Sequence, residues 1–355
     1  MNLQEVISKI GTLDEEAQAR ARARQDELIK PIGSLGRLEE LSVQLAGISG
    51  DVYHHYEKKA IVVMCADNGV YAENVSLAPQ EVTLMQSLNF KDYITGVGVL
   101  SKLSGSGLVV VDIGINSDVE SEKFLNRKVR KGTGNLAKEL AMTREEALRA
   151  IEVGFEQAEA LANDGCDVIG TGEMGLANTT SSALVIMSLT GCSVDEATGR
   201  GSGLTDELYA HKKALINNAY ALHHPDMNDP IDILSKVGGL DIAGLAGVYL
   251  GAAYYRKPVI IDGVISAAAA MVASKLCPNA KSFMVPSHIS EEPGYSVAMS
   301  SLGIHPYFDL GMRLGEGTGC PFTFLLIDAA ERVVREMATF AETSIDDSNL
   351  VDIRK

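Results

Sequence analysis

The sequence predicts an α/β protein: a doubly wound, mostly parallel sheet, joined by a small helical domain drawn from both chain ends. Three observations carry this. Short apolar runs that end in an acidic or polar turn recur through the middle of the chain, helical stretches separate them, and both ends read as helices. Strands alternating with helices need right-handed crossovers, which make neighbouring strands parallel.

The first 50 residues carry apolar positions at helical spacing in "LQEVISKIGTL" and "LGRLEELSVQLAGI", with a polar, alanine-rich stretch from Glu15 to Lys30 between them. "KPIGSLG" interrupts the helices, because a proline and two glycines cannot continue one. From Lys59 the pattern changes. "AIVVMCADNGV" is an apolar run emptying into Asp67-Asn68-Gly69, as a buried strand does. "GLVVVDIGI" repeats the arrangement with Asp112, "CDVIGTGEMG" with Glu173 and "PVIIDGVIS" with Asp262, and "SFMVPSHIS" is a fifth strand. "TREEALRAIEVGFEQAEALAND" and "DIAGLAGVYLGAAYY" are helices between them. The last segment, "GTGCPFTFLLIDAAERVVREMATFAET", is an amphipathic helix whose expected partners are the N-terminal helices. The expected division is residues 1–50 plus 330–355 as the small helical domain and 51–329 as a large, Rossmann-like catalytic domain.

Composition excludes several functions. A chain of 355 residues with 46% hydrophobic and 22% charged residues buries a sizeable core without staples. A formal charge of -16 opposes affinity for nucleic acid or an anionic membrane. The five cysteines are scattered and lack C-x-x-C spacing, which supports neither a disulfide framework nor a zinc site. No signal-like or membrane-spanning stretch is present, so a cytoplasmic protein is expected.

In parallel sheets ligands bind beyond the carboxyl ends of the strands, so Asp67, Asp112, Glu173 and Asp262 are expected along one edge, although each alone reads equally as a helix cap. "GTGEMGLANTTSSALV" is the richest stretch: three glycines surround Glu173, and Asn178 and Thr179 open an apolar helix with small polar residues. Such a helix start suits a phosphate monoester, or is simply a capped helix. No G-x-x-x-x-G-K-[ST] is present, which disfavours a P-loop nucleotidase. Lys212 offers a compensating charge, or forms a solvated face with Lys213. His288 has no accompanying nucleophile motif and reads as structural. "LGEGTGC", Leu314 to Cys320, holds Glu316 in backbone too bare to bury it behind side chains. Such a carboxylate marks either a surface turn or a slot that a ligand covers.

"KPIGSLGRLEEL", "ADNGVYAENVS", "GTGEMGLANTTSSA", "GRGSGL", "IIDGVISAAAA", "PSHIS" and "LGEGTGC" occur in this order, from about Lys30 to about Ala330. In these stretches the chain resembles the nicotinate-nucleotide:dimethylbenzimidazole phosphoribosyltransferases. The resemblance implies a dimer that transfers phosphoribose from nicotinate mononucleotide to a lower-ligand base in cobamide synthesis, with no cofactor and no metal. It implies Glu316 as general base, its pKa raised by burial beneath an aromatic ring, and Glu173 near the ribose or the second side of the base. It places Gly175, Lys212 and the backbone of Gly315 and Gly317 at the phosphate, with Ser287 or Ser290 nearby and Asp262 on the ribose hydroxyls. Ser76 and Gln86 fall at the lower-ligand pocket.

The chain departs from the family's usual pattern at Asn68, where many members have histidine, and at Ala177, where glycine is common. Both glutamates survive. Other readings stand beside the first: a paralogue that takes phenol or p-cresol or a subunit of a mixed dimer, a non-catalytic nucleotide-binding regulator and, more distantly, a metal hydrolase.

Overall fold

The computed structural model describes residues 3–354 apart from Ser202, Asp347 and Asn349. Its centre is a six-stranded, all-parallel sheet made of β1 (Lys59–Ala66), β2 (Gly107–Gly114), β3 (Leu125–Asn126), β4 (Val168–Met174), β5 (Val259–Ile261) and β6 (Met284–Pro286), in the order β3-β2-β1-β4-β5-β6. Chain order reverses between β1 and β4. That junction is the switch point at which a doubly wound sheet opens a crevice beyond its carboxyl ends.

β1 explains why the strands read as continuous apolar runs. Successive side chains point to opposite faces, and both faces are covered. Val62 and Met64 join one apolar cluster with the helices Arg144–Asn163, Asn178–Thr190, Leu240–Tyr254 and Val264–Leu276. Ile61, Val63 and Cys65 join the other, with Leu41, Leu45, Phe90, Val97, Phe324 and Ile327. Two helices of the first layer approach unusually closely: a Cβ on Gly154 would lie 1.7 Å from the Gly244 carbonyl oxygen, and one on Gly247 would lie 1.9 Å from that of Ile151. Only glycine permits that crossing.

The two chain ends are in contact. Arg24 in the helix Glu15–Glu27 donates to the carbonyls of Val334 and Met337, and Leu28 bridges Thr339. The final helix, Cys320–Glu336, presses Phe324, Ile327 and Ala330 against the sheet beside Leu41 and Leu45 of the helix Arg37–Ser49.

One strand reading needs correction. "SFMVPSHIS" is not a single strand: β6 ends at Pro286, and β7 (His288–Ser290) pairs with β8 (Phe308–Met312) in a separate two-stranded sheet. Proline lacks the N–H that continues a ladder, and the chain changes sheet beyond it. Sequence reading also missed β3 and β8, which are short and half-buried or exposed. Among the described residues no helix is long and apolar enough to cross a membrane, and no group of metal-ligating side chains could hold an ion.

Candidate active site

A cleft of about 400 Å³ opens at the switch point, a size that suits a small ligand. Its walls include Ser76, Gln86, Glu173, Gly175, Asn178, Thr179, Ser290, Gly315 and Glu316. Residues far apart in sequence converge here because the loops after β1, β4 and β5 and the turn before the last helix all end at one edge of the sheet.

The bareness of the Glu316 turn has a steric cause. Gly170 and Gly172 lie two residues apart on β4 and share a face. A Cβ on Gly172 would stand 2.2 Å from the Glu316 carbonyl oxygen, and one on Gly170 would stand 2.9 Å from Cys320 Sγ. The turn therefore rests directly on the strand. Beneath it, Asp262 Oδ2 accepts from the Gly317 N–H at 3.0 Å and Oδ1 from the Gly319 N–H at 2.7 Å. Glu316 itself has φ of 63°, a left-handed conformation that a non-glycine residue adopts only when its surroundings impose it.

The Glu316 side chain is buried, yet protein donors replace the water it loses. Gln86 Nε2 donates to Oε1 at 2.6 Å, and the Val97 N–H donates to Oε2 at 3.1 Å. Val97 lies in the first turn of the helix Gly96–Ser104, whose positive end favours an anion. A Cβ on Gly96 would lie 3.1 Å from Oε2, so glycine keeps that approach open. The glycines in the sequence suggest a slot that only desolvates the carboxylate; the structure supplies two donors.

Glu173 has the opposite setting. Burial and the neighbouring Asp241 carboxylate push it up to about 8. Its Oε2 accepts from Asn178 Nδ2, and its Oε1 accepts from the Glu316 N–H at 3.4 Å. Asn178 begins the helix Asn178–Thr190, whose preceding residue, Ala177, has φ of 67° and makes no side-chain cap bond. The Thr180 N–H turns back to the Ala177 carbonyl oxygen at 3.0 Å, and no side chain caps the helix start.

Lys212 stands behind the cleft wall. Its ammonium is fully buried and donates to Thr179 Oγ1 at 2.8 Å and to the Gly199 carbonyl at 3.2 Å, and burial pulls it down to about 8. Lys213 pairs instead with exposed Asp195, the solvated face expected of a lysine pair.

Other expected positions fall elsewhere. Asp262 is buried with both oxygens on the turn's backbone, so it supports the site from beneath rather than facing the cleft. Gly317 gives its N–H to Asp262. Ser287 is fully buried and donates to the Asp262 carbonyl oxygen, whereas Ser290 reaches the cleft. His288 is buried with its ring nitrogen 3.0 Å from Ser287 Oγ, and burial pulls it down to about 4, in keeping with a structural, neutral role. The four acidic strand ends lie along the carboxyl edge of the sheet but have different partners. Asp112 is consumed by Lys128 at 2.7 Å, and Asp67 caps the Asn116 N–H at 2.8 Å.

Sequence reading missed Arg313 and Glu292 and held Gly201 only within "GRGSGL"; all three are on the cleft wall. Glu292 accepts from the Gly201 N–H at 2.9 Å. Arg313 stands three residues before Glu316, and that proximity was the available signal.

The comparisons agree with this geometry. A family model described as "Phosphoribosyltransferase" matches residues 10–345. The nicotinate-nucleotide–dimethylbenzimidazole phosphoribosyltransferase of Clostridium tetani is 49% identical over 354 residues, covering 99% of this chain and 98% of the relative. That of Clostridium acetobutylicum is 48% identical over 346 residues, covering 98% of each. The crystal structure of CobT from Thermus thermophilus superposes with a TM-score of 0.90 at 37% identity, covering 94% of this chain and all of that one. With its parallel sheet, its switch-point cleft and both glutamate–glycine turns, the chain belongs to the nicotinate-nucleotide–dimethylbenzimidazole phosphoribosyltransferase family.

Proposed function

We propose that the chain transfers the 5-phosphoribosyl group of nicotinate mononucleotide to 5,6-dimethylbenzimidazole, releasing nicotinate and forming α-ribazole 5'-phosphate, the activation of a lower-ligand base in cobamide synthesis. The observation that carries this reading is Glu316: a buried carboxylate on the cleft wall, oriented by Gln86 and the Val97 N–H on a turn that rests on bare Gly172. Names shared by relatives matched over nearly the whole chain support it.

The chemistry fits such a site. In the nucleotide, C1' of ribose is bonded to a pyridinium nitrogen, so breaking that bond returns its electron pair to the ring and neutralises a cation. Nicotinate then leaves without an acid catalyst. The incoming benzimidazole attacks C1' through its lone-pair nitrogen and must lose the proton on its other nitrogen. Glu316 takes that proton, the task of a positioned general base. The helix start at Asn178 and Thr179, with Gly175, Gly315 and the Lys212 ammonium behind Thr179, forms the phosphate end of the cleft. Ser76 and Gln86 form the end that takes the base. Asp262 fixes the turn that carries Glu316. We place the enzyme in the cytoplasm as a homodimer.

The test is a product assay on the purified chain with nicotinate mononucleotide and a panel of dimethylbenzimidazole, benzimidazole, phenol and p-cresol. Release of nicotinate with dimethylbenzimidazole, without a second subunit, is expected. Turnover with phenols alone would replace the acceptor, and no nicotinate release with any of them would overturn the reading.

A further inference from the structure

Asp241 belongs to none of the stretches that point to function, and its place in "GGLDIAGL" reads as an ordinary helix start. It lies in the first turn of the helix Leu240–Tyr254 and is fully buried. Its Oδ1 accepts from the Ile242 N–H at 3.0 Å, and its Oδ2 accepts from Asn178 Nδ2 at 2.9 Å. The same Nδ2 donates to Glu173 Oε2. A single amide NH2 thus joins two buried carboxyls, one of which lines the cleft.

The groups around this pair are themselves acidic. Glu173 faces Asp241 from that helix and Asp262 from the end of β5, and Asp241 faces Asp67 from the end of β1. The turn before the last helix brings the Glu316 N–H to Glu173 and places Arg313 on the cleft wall. Among the described residues neither Glu173 nor Asp241 makes an ion pair; the lysine of this edge, Lys128, belongs to Asp112. Two buried carboxyls bridged by one amide, with no cation, do not both ionise near neutral pH, and one retains a proton. Burial pushes both up, and Asp241 holds its backbone donor at 3.0 Å, against 3.4 Å for Glu173. On this geometry Glu173 is the less well stabilised carboxylate of the pair.

We propose that Asp241 is a positioning residue: through the shared Asn178 amide it keeps Glu173 protonated, so that the cleft admits an anionic nucleotide and offers it an O–H donor. This rests on the reading of nicotinate mononucleotide as substrate. That nucleotide carries a phosphate and a carboxylate, and an ionised Glu173 repels both.

The experiment measures calorimetric affinity for nicotinate mononucleotide from about pH 7 to about pH 9.5, where the substrate phosphate is already fully ionised over most of the range. Lys212 titrates in the same window, so the decisive quantity is the effect of Asp241→Asn in two backgrounds. In the native chain the substitution is expected to move the alkaline loss of affinity toward acid pH by about one unit. In a Glu173→Gln chain, whose residue 173 has no proton to lose, it is expected to move nothing. No shift, an alkaline shift, or equal shifts in both backgrounds would overturn the proposal. Where Asp241→Asn does not fold, infrared spectroscopy of the native and Glu173→Gln chains at neutral pH reads the proton directly. Asp262 is itself pushed up to about 7 by burial and contributes to the same band, so a protonated-carboxyl band that loses intensity in the second chain supports the proposal, and identical spectra overturn it. The infrared result stands whether or not the nucleotide binds, so failure of the substrate assignment and failure of the proton assignment are distinguishable.

Discussion

Glu173 and Glu316 each sit among glycines at the same edge of the sheet, yet the fold gives them opposite surroundings. Glu316 rests on the first turn of a helix, with Gln86 as a second donor. Glu173 shares its amide donor with Asp241 and has Asp262 beside it. The first environment solvates a carboxylate, and the second penalises one. Burial alone therefore does not assign a role to an acid; the donors and charges brought to it do.

The strongest challenge to this contrast is Glu316→Gln, which keeps shape and removes basicity. Turnover is expected to fall by about 10²- to 10⁴-fold with nucleotide affinity nearly unchanged, read by steady-state kinetics and calorimetry. Retained turnover would erase the distinction between the two glutamates. Gly172→Ala attacks the support instead. Its Cβ would meet the Glu316 carbonyl oxygen at 2.2 Å, backbone that cannot step aside without moving the turn. Stability is expected to drop by about 1–3 kcal/mol and turnover by about 10- to 100-fold, measured by thermal melting and rate assays.

A gentler test uses pH. Glu173 is raised from its ordinary 4.5 to about 8, so between those values the folded chain binds more protons than the unfolded one. Its contribution to stability is complete below about pH 4.5 and is lost as pH rises through about 8. Melting temperature should decline over that window, and Glu173→Gln should flatten part of the decline; an unchanged slope would show that Glu173 ionises freely. The smallest effect is expected at Ala177, whose φ of 67° strains an alanine but not a glycine. Ala177→Gly should stabilise the chain by up to about 1 kcal/mol in denaturant melts, the relief of strain being partly offset by unfolded-state entropy.

Much of this was legible beforehand. The apolar runs at β1, β2, β4 and β5 were visible because both faces of a covered parallel strand are apolar, which leaves an unbroken hydrophobic signature. The helices Arg144–Asn163 and Cys320–Glu336 were legible too, the second by its amphipathic period. β3 and β8 did not, being too short or too exposed to carry a pattern. Both glutamates were found by their glycines. Asp262 was expected at the ribose, and its oxygens instead accept from the turn that carries Glu316, because a residue at a strand end faces either outward to a ligand or across to a neighbouring turn, and sequence does not tell which.

The order of strands and helices, the excess of negative charge and the bare turns around Glu173 and Glu316 follow from the chain's own chemistry, since period, charge and glycine content act locally. Tertiary structure alone decided that Gln86 and Val97 meet Glu316, that Asn178 joins Glu173 to Asp241, and that Lys212 comes to lie behind Thr179. These contacts unite residues up to 230 positions apart. They arise from the order in which strands enter the sheet, which no local window of residues contains.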